Sequence, residues 1–282
     1  MCIRDRAESY PPPDAKCELS EMAITGGGPV ANALVALSRW GARCALAAVA
    51  GDDRFGAAIR EGLHGEGIDI AGLVTRAGAA SQFAFIVAEA GTGRRNVFWR
   101  RPTGAPLGPD EFDRDLLCRA RVFHTDGLMA EAALAGARTA RAAGIPVVVD
   151  AGTLREGMLE LAGTSDCFIA SEGFGRTLTG GDDPEGACRK LAELGPAVTG
   201  ITLGAKGLVA LDRGCLIRVP AVVVDAVDTT GCGDILHAGF IHGLLRDWDT
   251  ETGLRFGAWA AARTSVRLGG RTGIPDAGDW EG

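Results

Sequence analysis

Short apolar runs alternate along this chain with amphipathic helical segments, and that alternation narrows its possible folds more than any other feature. CALAAVA (44–50), RVFH (121–124), IPVVVDA (145–151), DCFIA (166–170) and AVTGITLG (197–204) are short and rich in β-branched or small apolar residues. Between them lie PVANALVALSRWG (29–41), RFGAAIREGLHG (54–65), EAALAGARTARAAG (131–144) and PEGACRKLAELG (184–195), several closing on the Gly expected past a helix end. Strands and helices in this order predict an α/β fold: a mostly parallel sheet covered by helices on both faces. With 282 residues, 46% of them hydrophobic, the chain can bury such a core. The texture changes at 72–101, where GLVTRAG, SQFAFIVAEA and RRNVFWRR read as strands around the turn-like GTG (91–93). Strands joined so tightly are antiparallel, which predicts a small projecting sheet, or lid.

The formal charge of -7 leaves no global basic field for nucleic acid or an anionic membrane. Arg39 and Arg43 interrupt the best apolar stretch, so the run of about 18 residues that a membrane span needs is not supported. The opening MCIRDR lacks the apolar segment of a signal peptide and does not read as a natural start, and PPPDAK after it reads as linker. Residues 1–20 are thus expected to be a non-native or disordered lead-in, with the domain proper at 21–282. The eight cysteines are scattered without metal-ligand spacing, as in a cytoplasmic protein with reduced, mostly buried thiols.

The stretch DTTGCGD (228–234) lies between the apolar AVVVDAV and the helix-like ILHAGFIHGLL. In an α/β sheet, ligands sit beyond the carboxyl ends of the strands, where a helix start offers unpaired N–H groups and a partial positive charge. Gly231 and Gly233, with only the small Cys232 between them, let that backbone approach an anion closely and stabilise charge on a transferring phosphoryl group. Asp234 then falls in the first turn, where the helix field favours its ionised form, suited to a general base taking a proton from a hydroxyl. A helix-capping Asp after a Gly-rich turn is the structural alternative.

These residues resemble the second signature of the ribokinase-like (PfkB) sugar kinases, D-T-x-G-A-G-D, with Cys in place of the usual Ala. GGGPVANALVALSRWGARCALAAVAGDDRFG (26–56) resembles the first signature, TLGAKG (202–207) the loop lining the nucleotide site, and RLGGRTGIP (267–275) the C-terminal segment. The resemblance implies a Rossmann-like three-layer αβα fold with a β lid, and ATP-dependent phosphorylation of a sugar hydroxyl with Mg2+. It implies Asp234 as base, Gly231, Cys232 and Gly233 as anion hole, and Gly27, Gly28 and Asn32 as sugar-binding residues. Thr202, Gly204 and Gly207 would bind ATP. Asp228 and Thr230 match positions binding a monovalent cation such as K+, although Asp228 equally suits a turn. Lids of this kind often pair between subunits, which implies a homodimer.

Two departures from the family stand out. The buried first strand carrying a sugar-binding Asp ahead of the Gly-Gly motif has no counterpart in residues 1–25, so the chain reads as truncated. The family's Asn-x-x-Glu falls on Ser171 to Phe174, leaving Glu172 to reach Mg2+ through water. Other signals are more local. Asp126, ending a strand after His124, is a candidate sugar contact. Arg94, Arg95, Arg100 and Arg101 guard a sheet edge or hold an anionic group of the substrate. His237, one turn after Asp234, reads as a packed helix histidine. Gly26 to Ala31 fits a dinucleotide fingerprint but lacks the strand before it, and no P-loop motif occurs. A nucleoside kinase would need a base-stacking aromatic, for which the lid offers Phe83, Phe85, Phe98 and Trp99. A non-catalytic sugar- or nucleotide-binding homologue would have no need of Asp234.

Overall fold

The computed structural model describes residues 1–19, 22–89 and 95–282, and its contacts divide the chain into two compact units. The first comprises 1–105, 224–232 and 261–279, the second 106–223, 233–260 and 280–282.

The first unit contains β1 (Cys2–Ala7), β2 (Ala23–Thr25), α1 (Pro29–Arg39), β3 (Ala48–Gly51), α2 (Arg54–Gly65), β4 (Leu73–Arg76), β5 (Phe83–Glu89) and β6 (Arg95–Arg100). One sheet has the order β2-β1-β5-β6, and β3 pairs with β4 separately. Helix α1 starts where the sequence predicts, with Pro29 at its first turn and Gly28 in the positive-φ region (100°) before it. Asp53 caps α2 by accepting from the Gly56 amide at 2.8 Å. The same carboxylate accepts from the Ser81 hydroxyl and amide. Burial pushes the Asp53 carboxyl up, but these hydrogen bonds outweigh it and hold the group below its usual range.

Two expectations change here. Cys2–Ala7, read as lead-in, is a strand lying between β2, antiparallel, and β5, parallel. Its charged residues conceal it in an apolar-run reading, and what makes a buried position tolerable to Arg4 is an ion pair: Nη1 donates to Asp228 Oδ2 at 2.5 Å. The segment GLVTRAG was expected in the lid, yet β4 runs parallel to β3, with Leu73 opposite Ala48. A parallel partner is available because α2 provides the crossover. The β5–β6 hairpin is antiparallel as expected. Its turn at 91–93 and Arg94 lie outside the described residues.

The second unit contains α3 (Arg114–Leu117), β7 (Phe123–Thr125), α4 (Ala130–Ala142), β8 (Val147–Ala151), α5 (Met158–Gly163), β9 (Cys167–Ser171), α6 (Glu172–Thr179), α7 (Pro184–Ala192), β10 (Val198–Thr202), β11 (Leu208–Asp212), β12 (Cys215–Val219), all of α8 (Cys232–Leu244) but its first residue, and α9 (Thr250–Ser265) as far as Ala260. Its sheet has the order β12-β11-β10-β9-β8-β7, parallel from β7 to β10 and antiparallel through the β11–β12 hairpin. The near-continuous apolar strands expected of a parallel sheet are buried here, and Phe168, Ile201, Leu161, Phe174 and Leu191 share one core cluster. Cys167 and Cys188 are the two fully buried thiols, both pushed up to about 12 first by burial, while Cys17, Cys118 and Cys215 are exposed. The thiols are thus less uniformly buried than their residue type suggests. The apolar run AVVVDAV (221–227) forms no strand, and Val223 is 96% exposed.

Helices α8 and α9 meet through glycines four residues apart on each, Gly239 and Gly243 against Gly253 and Gly257. A Cβ on Gly239 would come within 2.3 Å of the Gly257 Cα, and one on Gly257 within 2.5 Å of the Leu236 carbonyl oxygen. Beside this crossing, His242 stacks on Phe256 at 5.0 Å and accepts from Arg246 Nε at 2.7 Å. Burial first, and then the Arg246 charge, push the His242 imidazole down to about 4. His124 is likewise pushed down to about 4, chiefly by burial. Between about pH 6.5 and about 4 the unfolded chain therefore binds protons that the folded chain refuses, so stability is full above 6.5 and declines toward 4. Urea midpoints measured across that window are expected to fall with pH, and the slope is expected to shrink in His242→Gln.

Candidate active site

In the second unit the parallel strands deliver several of the expected residues to one edge of the sheet, beyond their carboxyl ends. Asp126 follows β7, Glu172 follows β9, and Thr202 ends β10 with Gly204 and Gly207 just after it. Asp126 closes a tight turn by accepting from the Leu128 amide at 2.9 Å, and its carbonyl accepts from Arg155 Nη2 at 2.7 Å. Ser171 stands where the family's Asn was expected: its hydroxyl caps α6 at Phe174 N and donates to the Gly152 carbonyl at 2.7 Å. Glu172 Oε1 lies 3.0 Å from Arg176 Nη2 and 4.0 Å from Lys206 Nζ. The TLGAKG loop turns through Gly204 (φ 58°) and Gly207 (φ 87°), and a Cβ on Gly207 would sit 2.1 Å from the Val219 carbonyl oxygen. Only glycine serves at that approach.

Helix α8 opens at Cys232, directly after Gly231 with φ 86°. Gly233 is exposed, and the space where its Cβ would stand is empty to 4 Å, so the backbone at the helix start is open to an anion. Asp234 occupies the first turn, half-buried. The rest of the helix, Ile235 to Gly243, is buried throughout, as befits its apolar sequence. His237 is packed, as expected of a helix histidine, with both ring nitrogens facing carbonyl oxygens: Gly233 O at 2.8 Å and Ile169 O at 3.2 Å.

The first unit gathers Gly27, Gly28, Asn32, Asp228 and Thr230 with residues the sequence reading did not single out. Buried Asn32 accepts at Oδ1 from Arg271 Nε at 2.7 Å. The Arg271 guanidinium lies so close over Gly26 that a Cβ there would be 1.9 Å from Nη1. Gly231 packs against Gly270, which ties the DTTGCGD turn to the RLGGRTGIP segment. Asp228 accepts from Arg4, from Gly269 N at 3.0 Å and from Thr230 N at 2.9 Å. Burial pushes this carboxyl up, yet hydrogen bonding from Thr230 and the Arg4 charge hold it below its usual range. The bond from Thr230 N to Asp228 Oδ1 closes a local turn, and the Arg4 guanidinium faces the same carboxylate. Among the described residues, no group of three or more His, Cys, Asp or Glu side chains is arranged to hold a metal ion.

The profile of the pfkB family of carbohydrate kinases matches residues 1–277. The chain belongs to that family. As a pfkB-family carbohydrate kinase it is an enzyme, an ATP-dependent phosphotransferase with an alcohol acceptor. It is 30% identical to fructokinase-1 of Zea mays over 243 residues, 78% of this chain and 74% of that one. In fold it is similar to a candidate ribokinase of Agrobacterium tumefaciens, with a TM-score of 0.91 at 24% identity over 99% of this chain and 92% of that one. An E. coli protein solved in complex with ATP and Mg2+ aligns with a TM-score of 0.83 at 20% identity, covering 98% and 94% of the two chains. No helix among the described residues is long and apolar enough to cross a membrane.

Proposed function

We propose that this carbohydrate kinase transfers the γ-phosphoryl of ATP directly to a sugar hydroxyl, with Asp234 as general base. The observation that carries this reading is the first turn of α8: a half-buried carboxylate beside an unobstructed glycine backbone. Asp234 takes the hydroxyl proton, the alkoxide oxygen forms the new bond to phosphorus, and the bond from phosphorus to the bridging oxygen of ADP breaks. Amides around Gly231, Cys232 and Gly233 donate to the phosphoryl oxygens as charge develops there. In the first unit, Gly27, Gly28 and Asn32 are the sugar contacts that the family motif supports. In the second, Asp126 is a candidate sugar contact from its place after β7, and Thr202, Gly204 and Gly207 are the nucleotide contacts that the TLGAKG motif supports.

Glu172 is the carboxylate available to Mg2+. Its Oε1 already faces Arg176 and Lys206, which suits contact through water better than direct ligation. When bound, Mg2+ neutralises charge on the ATP phosphate oxygens. A K+ site at Asp228 is not supported, since both carboxylate oxygens accept hydrogen bonds and Arg4 supplies the positive charge. The test of the reading is ADP release by the purified chain against a panel of ketoses, pentoses, sugar acids and nucleosides. Release that depends on a sugar sustains it, and ATP binding without release on any acceptor refutes it.

The lid supports a second copy of this chain as partner. Phe98 and Trp99 on the edge strand β6 are 61% and 53% exposed, and Val97 beside them is exposed too. Exposed Ile24 lies on β2 of the same sheet. A homodimer would cover this apolar surface. Sedimentation is expected to show a wild-type dimer that Phe98→Asp dissociates; a monomeric wild type contradicts the pairing.

A further inference from the structure

We propose that His237 is the positioning residue of the α8 start, pinning the Gly233 carbonyl to the central sheet by donating from both of its ring nitrogens. This rests on the reading of that helix start as the phosphoryl site. The buried ring reaches back one turn so that Nδ1 lies 2.8 Å from Gly233 O, while Nε2 lies 3.2 Å from Ile169 O in β9. A carbonyl oxygen only accepts, and a neutral imidazole has one N–H, so one of the two bonds would go unmade in either neutral tautomer. The ring that makes both bonds carries both protons.

The groups around it suit that state. Asp150 from β8 places Oδ2 3.5 Å from Nδ1 and supplies the countercharge. His124 from β7 stacks on the ring at 5.8 Å. Burial first, and then the neighbouring His237, push the His124 imidazole down to about 4. On its own helix, Asp234 precedes His237 by three positions.

The consequence lies in the Gly233–Asp234 peptide. Its carbonyl is the one His237 holds, and its N–H is the amide of Asp234, on the opposite side of the same rigid plane. Pinning the oxygen therefore aims the amide and anchors the backbone of the base. Misplacement of catalytic groups by about 1 Å can cost about a hundredfold in rate. His237 has no contact with substrate in this scheme and acts through the peptide it holds.

Two measurements test the inference. In His237→Phe, kcat is expected to fall about ten- to a hundredfold while KM for ATP and sugar stays within about threefold. His237→Gln, which restores one side-chain donor, is expected to recover part of the loss. Nitrogen-15 imidazole spectra of the wild type, assigned against His237→Phe or by triple resonance, are expected to show protons on both His237 nitrogens. A folded His237→Phe with unchanged kcat, or with its loss confined to KM, overturns the positioning role. A neutral His237 ring overturns the double-donor pin. Should His237→Phe fail to fold, the wild-type spectrum still decides. Should the wild type phosphorylate no sugar, the functional reading fails while the spectrum still judges the pin.

Discussion

Asp234→Asn is expected to lower sugar-dependent ADP release by about 10²- to 10⁴-fold, the usual contribution of a general base. The substitution keeps size and polarity in the first turn of α8, where the side chain is half-buried. It removes the ability to accept a proton at neutral pH. The melting temperature is expected to move little, because an Asn in a first helical turn loses only a modest interaction with the helix field, about 0.3–1 kcal/mol. KM for ATP is expected to change far less than kcat. The alternative, in which Asp234 merely caps the helix, gives the opposite pattern: a small loss of stability and retained turnover. Steady-state kinetics and a thermal melt on one preparation separate the two.

Gly257→Val is expected to produce the largest loss of stability, about 3 kcal/mol or more. The new Cβ would stand 2.5 Å from the Leu236 carbonyl oxygen, and that atom belongs to the backbone of α8 rather than to a side chain able to swing away. Overpacking usually costs about 1–3 kcal/mol, and the upper end applies where neither neighbour can yield. For a chain of this size that corresponds to a fall in Tm of about 6–12 °C. The adjoining Gly243 and Gly253 offer a comparison, since a Cβ on Gly253 would meet nothing closer than 3.5 Å. Gly253→Ala is therefore expected to be tolerated. A Gly257→Val variant as stable as the wild type would mean that α8 and α9 do not cross through their glycines.

Much of the second unit was legible because its physics is repetitive. DCFIA and IPVVVDA are apolar without alternation, as a strand buried on both faces must be, and they became β9 and β8 at the centre of a parallel sheet. RFGAAIREGLHG became α2 over the same twelve residues, because Asp53 before it and the Gly ending it are local signals. What escaped depends on partners distant in sequence. Arg4 is buried against Asp228, 224 residues away, so nothing near β1 marks it as a strand. Leu73–Arg76 looks like any edge strand until β3 becomes available to it.

The site divides in the same way. Asp234, Gly231 and Gly233 could be singled out because the motif that proposes them spans seven consecutive residues. Arg271 was not, although it sits between glycines in a segment recognised for other reasons; its bond to Asn32 spans 239 positions. His237 was read as a packed residue, which it is, but the carbonyl of Ile169 that gives the packing a direction lies 68 positions away. The eight cysteines show the limit of residue-type averages, since burial of each depends on its own element.

The most direct test of the central claim is phosphorus NMR of the wild-type enzyme with MgATP and the sugar that best stimulates ADP release. Direct transfer to an alcohol predicts a new phosphate monoester resonance growing in step with ADP, coupled to the carbinol protons of the acceptor, with no matching rise in inorganic phosphate. ADP accompanied only by inorganic phosphate would mean that water is the acceptor, and would contradict the account.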